Sequence, residues 1–215
     1  MLKTIIVSGG DINKNFLEKL NLKNKFNNII ASDKGLEALD KCNIKPNYII
    51  GDFDSLNEKV LNKYINDETV KIIKLNPEKD YTDTHMALKL AIELKSTDIT
   101  IIGAIGSRLD HTLANINILK EALEKKVACR ILNENNNITL INKNITIKKE
   151  EEYPYISLIP LTTNVTGVTL NGFKYPLDNA TMEIGKSIGV SNEQIEDNAT
   201  IKLEEGILII IRSKD

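Results

Sequence analysis

The spacing of apolar residues changes near residue 127, and this change constrains the fold more than any other feature of the 215-residue chain. Before that point, short apolar runs alternate with amphipathic helical patterns, clearest at 83–95 and 111–126. Such alternation is typical of a mainly parallel sheet covered by helices. The strands of this sheet are predicted at 4–7, 28–31, 47–50, 70–74 and 98–102.

Beyond that point the apolar runs are short and rich in β-formers, and Asn, Gly, Pro and Asp separate them. Strands are predicted at 127–132, 137–141, 144–148, 155–159, 165–170, 187–190, 199–203 and 207–211, with a hairpin turn at Glu205-Gly206 between the last two. This rhythm favours a β-sandwich or jelly roll. We therefore predict an α/β plus all-β protein, with an N-terminal, mainly parallel sheet and flanking helices in residues 1–126 and a C-terminal β-sandwich or jelly roll in residues 127–215.

The bulk composition excludes several classes of partner. The chain carries 28 basic and 30 acidic residues, so no basic excess indicates a nucleic-acid surface. No apolar run approaches the length of a transmembrane helix, and the N-terminus lacks the pattern of a signal peptide. Cys42 and Cys129 are far apart, which disfavours a disulfide framework or a structural zinc site. We expect a cytoplasmic protein with neither a nucleic-acid partner nor a membrane partner.

Two pairs of aspartates follow predicted strands, where ligands bind in open parallel sheets. Asp52 and Asp54 lie in Gly-Asp-Phe-Asp-Ser, and Asp80 and Asp83 lie in Asp-Tyr-Thr-Asp. Clustered carboxylates repel one another unless a cation lies among them, and a hard divalent cation carrying phosphates suits them. An Asx-turn explains the first pair about equally well. Helix capping is an alternative for the second pair, where function is favoured modestly for Asp83 and less for Asp80.

The segment 103–111, Gly-Ala-Ile-Gly-Ser-Arg-Leu-Asp-His, follows a predicted strand and precedes a helix. Its glycines, Gly103 and Gly106, let the backbone approach a phosphate, and the helix N-terminus offers N–H donors. Arg108 is suited to bidentate contact with phosphate oxygens. His111 and Asn115 are spaced i, i+4 and share one helix face. The pattern predicts a phosphate site, although a structural role at a packing interface is an alternative for His111.

Two other motifs are weaker. Residues 184–187, Ile-Gly-Lys-Ser, resemble the end of a P-loop, but Ala180 stands where its first glycine is required. Residues 49–56 resemble the nucleophile loop of haloacid-dehalogenase-type phosphatases, but they follow the third strand and not the first. A phosphatase with Asp52 as nucleophile and a non-catalytic nucleotide-binding module are the two alternative functions.

Taken together, these motifs resemble those of the thiamine pyrophosphokinase family over nearly the whole chain. The matching segments are Asp33-Lys34-Gly35, Gly51–Ser55, Asp80–Asp83, Gly103–His111 with Ala114-Asn115, and Val190–Glu193. The resemblance implies an N-terminal ATP-binding domain, a C-terminal thiamine-binding and dimerisation domain, and a homodimer with the substrate site between subunits. It also implies transfer of pyrophosphate from ATP to the thiamine hydroxyl, releasing AMP.

The resemblance also implies roles for individual residues. The magnesium ligands would be Asp52, Asp54 and Asp83, and these would be the catalytic residues together with Asp110 and Arg108. Either Asp83 or Asp110 would accept or orient the hydroxyl proton, a choice that the sequence leaves open. The implied ATP-binding set is Asp33, Gly103, Gly106, Ser107, Arg108, His111 and Asn115. The implied substrate-binding set is Asp80, Thr82, Tyr175, Ser191 and Asn192.

The chain departs from the family pattern at three positions. Ser107 and Lys34 stand where the family often has glycine, and Tyr175 stands where it often has tryptophan. Because the chain has no Trp, any aromatic face at this point would come from Tyr175. An ordinary strand aromatic is the alternative interpretation.

Overall fold

The computed structural model describes residues 1–54, 56–78 and 80–215. The chain forms two compact units, Met1–Glu134 and Asn135–Asp215. The elements of the N-terminal unit are β1 (Lys3–Val7), α1 (Lys14–Asn24), β2 (Asn28–Ser32), α2 (Gly35–Lys41), β3 (Tyr48–Gly51), α3 (Glu58–Asn62), β4 (Lys71–Lys74), α4 (Asp83–Glu93), β5 (Asp98–Ile102), α5 (Leu109–Glu124) and β6 (Ala128–Leu132).

The N-terminal sheet is parallel throughout, in the order β6-β5-β1-β2-β3-β4. Most of β1 and β5 is buried without alternation, as expected for strands covered on both faces. From β1, the chain first adds β2, β3 and β4 on one side and then adds β5 and β6 on the other side. The crevice between the loops after β1 and β5 is therefore the topological switch point, where such folds bind ligands.

Local signals explain where the helices around this crevice begin. Thr82 precedes α4 and accepts a hydrogen bond from the His85 backbone N–H at 3.2 Å, as an N-cap residue does. Ala87, Leu88 and Ala91 form the buried face of α4. Because the cap sets the first residue of the helix at Asp83, it also sets the direction in which that carboxylate leaves the backbone.

The C-terminal unit is an antiparallel β-structure in two sheets. Its strands are β7 (Asn136–Ile141), β8 (Ile145–Lys148), β9 (Tyr155–Pro160), β10 (Asn164–Asn171), β11 (Leu177–Glu183), β12 (Asn192–Glu193), β13 (Asn198–Lys202) and β14 (Leu208–Ser213). One group runs β12-β9-β14-β7, and the other runs β11-β10-β13-β8. Buried residues from both groups, including Leu158, Val168, Ile201 and Leu208, form one core. The predicted α/β plus β-sandwich class is thus confirmed.

The boundary between the units falls later than the one predicted at residue 126. β6 was predicted as the first strand of the C-terminal domain, but it pairs in parallel with β5 in the N-terminal sheet. Its apolar sequence is compatible with either sheet, because strand propensity does not identify the pairing partner.

Two predictions in the C-terminal unit are wrong. Residues 187–190 form no strand, and residues 188–190 form a turn. Leu177–Glu183 is a strand that the apolar pattern missed, because most of its residues are at least partly exposed. The turn at Glu205-Gly206 does not close a hairpin, since β13 pairs with β10 and β8 while β14 pairs with β7 and β9.

Within the described parts of the chain, no helix combines the length and the apolar character needed to cross a membrane.

Candidate functional site

A cleft of about 440 Å³ opens at the switch point of the parallel sheet. The loops after β1, β2 and β5 form its walls together with the first turns of α4 and α5. Its lining residues are Ser8, Gly9, Gly10, Asp11, Ser32, Asp33, Lys34, Thr82, Asp83, Thr84, Gly103, Ala104, Ile105, Gly106, Ser107, Arg108, His111 and Asn115. The cleft thus brings together all of the predicted ATP-binding residues, although Asp80 is exposed and lies outside this lining.

Three half-buried carboxylates converge beside this cleft. Asp33, Asp52 and Asp83 each offer one carboxylate oxygen, and these oxygens all lie within 4.8 Å of one another. They come from the loops after β2 and β3 and from the start of α4. Oxygen donors grouped in this way suit a hard divalent cation.

This group differs from the predicted ligand set at one member. Asp54 is exposed and lies outside the group, and its backbone N–H donates to the Asp52 carboxylate at 3.1 Å. The Asx-turn considered from the sequence is therefore present at this pair. Asp33 belongs to the group in place of Asp54. The sequence did not predict Asp33 as a metal ligand, although its position directly after β2 indicates the same edge of the sheet.

The backbone at Asp33 is held in a conformation that few residues adopt. Its φ is 53°, in the left-handed region, which costs a non-glycine residue about 1 kcal/mol. Its N–H donates to the Ile50 carbonyl at 3.1 Å, and its carbonyl accepts from Leu36 N–H at 3.1 Å. The bond to β3 and the start of α2 together stabilise the turn that directs this carboxylate towards Asp52.

The predicted phosphate loop is built on close backbone packing. Gly103 has φ +66°, and its carbonyl accepts from the Gly10 N–H at 2.8 Å. The buried Asn115 side chain donates to the Ala104 carbonyl at 2.8 Å. Asn115 lines the cleft and stays a predicted nucleotide contact, and its amide N–H also holds the loop against α5.

Arg108 and Asp110 form a bidentate ion pair at the mouth of the cleft. Arg108 Nε lies 3.3 Å from Asp110 Oδ1, and Arg108 Nη2 lies 2.6 Å from Asp110 Oδ2. The hydrogen bonds between them raise the pKa of the Arg108 guanidinium and lower the pKa of the Asp110 carboxyl. Both side chains are more than half exposed, so the pair can open when a stronger partner such as phosphate arrives.

A second network links the two helices that border the cleft. Glu121 of α5 lies 2.7 Å from His85 and accepts from Lys89 at 3.0 Å, both on α4. Burial opposes ionisation of Glu121, but the hydrogen bonds from His85 and Lys89 outweigh it and lower the pKa of its carboxyl. The Tyr81 ring packs edge-on against His85 at a centroid distance of 4.8 Å. This network, which sequence reasoning missed, fixes the start of α4 and with it Asp83.

Three members of the predicted substrate-binding set, Tyr175, Ser191 and Asn192, lie in the C-terminal unit, whereas Asp80 and Thr82 lie in the N-terminal unit. The buried Asn192 side chain accepts from Tyr175 N–H at 3.0 Å and donates to the Tyr175 carbonyl at 2.8 Å. Ser191 has φ 55°, and its N–H donates to the Ser157 hydroxyl at 3.0 Å. Tyr175 is 58% exposed, with Lys174 Nζ 5.6 Å from the centroid of its ring. Asn192 thus positions the backbone of Tyr175, whose aromatic face remains accessible.

Both units match known protein families. Residues 20–131 match the model for "Thiamin pyrophosphokinase, catalytic domain", and residues 142–208 match "Thiamin pyrophosphokinase, vitamin B1 binding domain". The chain is also 36% identical to thiamine pyrophosphokinase of Bacillus subtilis (strain 168), over the full length of both chains. The chain belongs to the thiamine pyrophosphokinase family. Members of the family are pyrophosphoryl transferases, so the phosphatase and the non-catalytic module are set aside.

Relatives and solved structures extend the match. Thiamin pyrophosphokinase 1 of Caenorhabditis elegans is 27% identical, with 89% of this chain and 81% of the relative covered. The crystal structure of the Bacillus subtilis thiamine pyrophosphokinase superposes with a TM-score of 0.88 at 34% identity and covers 99% of each chain. That of the Geobacillus thermodenitrificans enzyme gives a TM-score of 0.86 at 32% identity, covering 100% of this chain and 98% of the other. The family's two-unit fold is therefore that of this chain.

Proposed function

We propose that this protein transfers a pyrophosphoryl group from ATP to the hydroxyl of thiamine, giving thiamine diphosphate and AMP. The observation that carries the proposal is the cleft at the switch point. Three carboxylates lie beside this cleft, and the Gly103–Ser107 loop and Arg108 line it, in a chain that is 36% identical to a thiamine pyrophosphokinase. The oxygen of the thiamine hydroxyl forms a bond to the β-phosphorus and its proton is released to solvent, while the bond from that phosphorus to the α,β-bridging oxygen breaks and AMP leaves with that oxygen.

The carboxylate group fits a magnesium ion, because three oxygen donors from separate elements lie within 4.8 Å of one another. We propose Asp33, Asp52 and Asp83 as its ligands, and Asp54 stays a predicted ligand from the sequence. When bound, Mg²⁺ would neutralise charge on the phosphates of ATP and orient them for in-line attack. Three carboxylates repel one another, so the protein has to hold them close together. The backbone turn at Asp33 helps to do this by fixing the position of one of them.

The other wall of the cleft is suited to the phosphates. The backbone from Gly103 to Ser107 and the N-terminus of the long helix α5 offer N–H donors. Arg108 exchanges its Asp110 partner for a phosphate, which offers the same bidentate geometry. His111 lines this wall.

The choice between the two candidate bases is narrowed by their positions. Asp110 is more than half exposed and lies outside the lining of the cleft. Asp83 belongs to the carboxylate group and is held by α4. We therefore propose that Asp83, and not Asp110, orients the thiamine hydroxyl, with Thr82 beside it in the cleft lining.

For thiamine, we propose contacts in the C-terminal unit from Ser191 and the Tyr175 ring, with Asn192 as the residue that positions them. The exposed aromatic face of Tyr175 suits a cationic ring. We also propose a reducing compartment such as the cytoplasm, because Cys42 and Cys129 are free thiols.

A direct assay tests the reaction. Purified protein with ATP, Mg²⁺ and thiamine is expected to form AMP and thiamine diphosphate in equal amounts, measured by chromatography. Omitting thiamine or adding EDTA should stop both products. Release of ADP or inorganic phosphate in place of AMP would contradict the proposed function.

A homodimer is the proposed assembly, supported by exposed apolar side chains in the C-terminal unit, including Tyr155, Tyr175, Ile188 and Val190. Light scattering coupled to size exclusion should give twice the chain mass of 24.1 kDa. Val190→Glu should shift the protein towards monomer, whereas Glu183→Gln, also in this unit, should not. A wild-type mass of 24.1 kDa at micromolar concentration would contradict the dimer.

A further inference from the structure

Among the described residues that line the cleft, the lysine and arginine side chains are those of Lys34 and Arg108. Three carboxylates converge at one side of the cleft. Arg108 is paired with Asp110. Lys34 forms no ion pair with any described carboxylate, and its side chain is exposed. A lysine without a partner therefore borders a site rich in negative charge.

The position of Lys34 is set by the strained turn. It directly follows Asp33, whose left-handed backbone ends β2, and it directly precedes α2. Its stem lies against the β1 loop, where a Cβ added to Gly9 would come within 3.2 Å of the Lys34 Cβ. The absence of a side chain at Gly9 thus leaves room for Lys34 at the edge of the cleft.

Lys34 also borders a second groove of about 260 Å³. This groove shares the loop Gly9–Asp11 and Lys34 with the main cleft, and its lining also includes Lys14 and Lys41. Lys34 therefore lines both cavities.

A second observation on the same wall indicates a ligand. The Ser32 side chain lines the cleft and is 1% exposed, and its hydroxyl makes no hydrogen bond with the described residues. A buried polar group without a partner is costly and is a common feature of a site that is completed by a ligand.

We propose that Lys34 binds a phosphate oxygen of the nucleotide's triphosphate. Lys34 follows β2 and Arg108 follows β5, and these two strands lie on either side of β1. This inference rests on the proposed function for the identity of the nucleotide. An ammonium group is a compact charge with three rotatable donors, which suits a phosphate whose position changes during transfer. Lys34 is then a specificity-determining residue for polyphosphate over monophosphate, at a position where the family pattern often has glycine.

The test is calorimetric titration of the full protein with inorganic triphosphate and, separately, with AMP, both with Mg²⁺. Lys34→Gln is expected to weaken triphosphate binding about tenfold or more, the effect of losing one charge-assisted hydrogen bond. AMP binding should change less than about threefold. Lys34→Arg should retain most of the triphosphate affinity, and Lys41→Gln, which removes a lysine from the neighbouring groove alone, should behave like wild type.

The outcomes separate this inference from the proposed function. Equal triphosphate affinity in wild type and Lys34→Gln, with unchanged melting temperature, would overturn the role of Lys34. An equal loss in Lys41→Gln would also overturn it, since the effect would then come from general surface charge. If wild type binds triphosphate through Lys34 but forms no thiamine diphosphate, the phosphate site stands and the proposed reaction falls.

Discussion

Asp52→Asn is expected to lower the rate of thiamine diphosphate formation at least about a hundredfold while the protein remains folded. The carboxylate lies in the group with Asp33 and Asp83, and the amide that replaces it is a neutral, weaker ligand for Mg²⁺. A hundredfold loss corresponds to about 2.7 kcal/mol of transition-state stabilisation, within the range expected for a metal that neutralises phosphate charge. Initial rates at several Mg²⁺ concentrations measure the effect, together with the circular dichroism of each variant.

Asp33→Asn and Asp54→Asn are the matched pair for this prediction. The structure places Asp33 in the carboxylate group and Asp54 outside it, so Asp33→Asn should be as damaging as Asp52→Asn. It should also require more Mg²⁺ for half-maximal rate, a shift that a general loss of packing would not produce. Near-wild-type activity in Asp33→Asn would contradict the ligand set, and the size of the Asp54→Asn effect decides whether Asp54 belongs to it.

Gly103→Ala is expected to destabilise the protein by roughly 2–5 kcal/mol. About 1–2 kcal/mol comes from placing alanine at φ +66°, and about 1–3 kcal/mol comes from overpacking. The added methyl would collide with the carbonyl oxygen of Ser8, a backbone atom of the loop after β1 that cannot turn away, and with the Ile12 side chain. Chemical denaturation with Mg²⁺ absent measures the change in the free energy of unfolding.

Gly106→Ala is the control from the same loop. A methyl there would find its nearest neighbours at 3.7 Å, an ordinary contact distance, so stability should change by no more than about 0.5 kcal/mol. Because Gly106 lines the cleft, its substitution should instead raise the KM for ATP. Equal stability losses in the two variants would show that the predicted difference between the two glycines is wrong.

The two glycines illustrate how far sequence patterns reach. Both were predicted for the phosphate loop from their spacing, and both line the cleft. The sequence could not separate them, because the need for glycine at 103 arises from the loop after β1, which is distant in the chain. The same limit applies to Asn115, whose amide holds the Ala104 carbonyl and was predicted to contact the nucleotide.

The C-terminal unit shows a related limit. Its β-rich rhythm predicted the sandwich, yet the last two strands, read as a hairpin, belong to different sheets. A turn residue such as Gly206 indicates that the chain changes direction. It does not indicate which strand the next segment pairs with, because pairing depends on burial against residues far away in sequence.

By itself, the sequence determined the two-part architecture and the edge of the parallel sheet where the chemistry is placed. Apolar periodicity and the motifs after each strand are local properties, so they can be read without coordinates. Tertiary structure alone decided that Asp33 joins Asp52 and Asp83, and that β6 belongs with β5. These features depend on distances between segments that are far apart in the chain, and such distances are set by packing and not by local sequence.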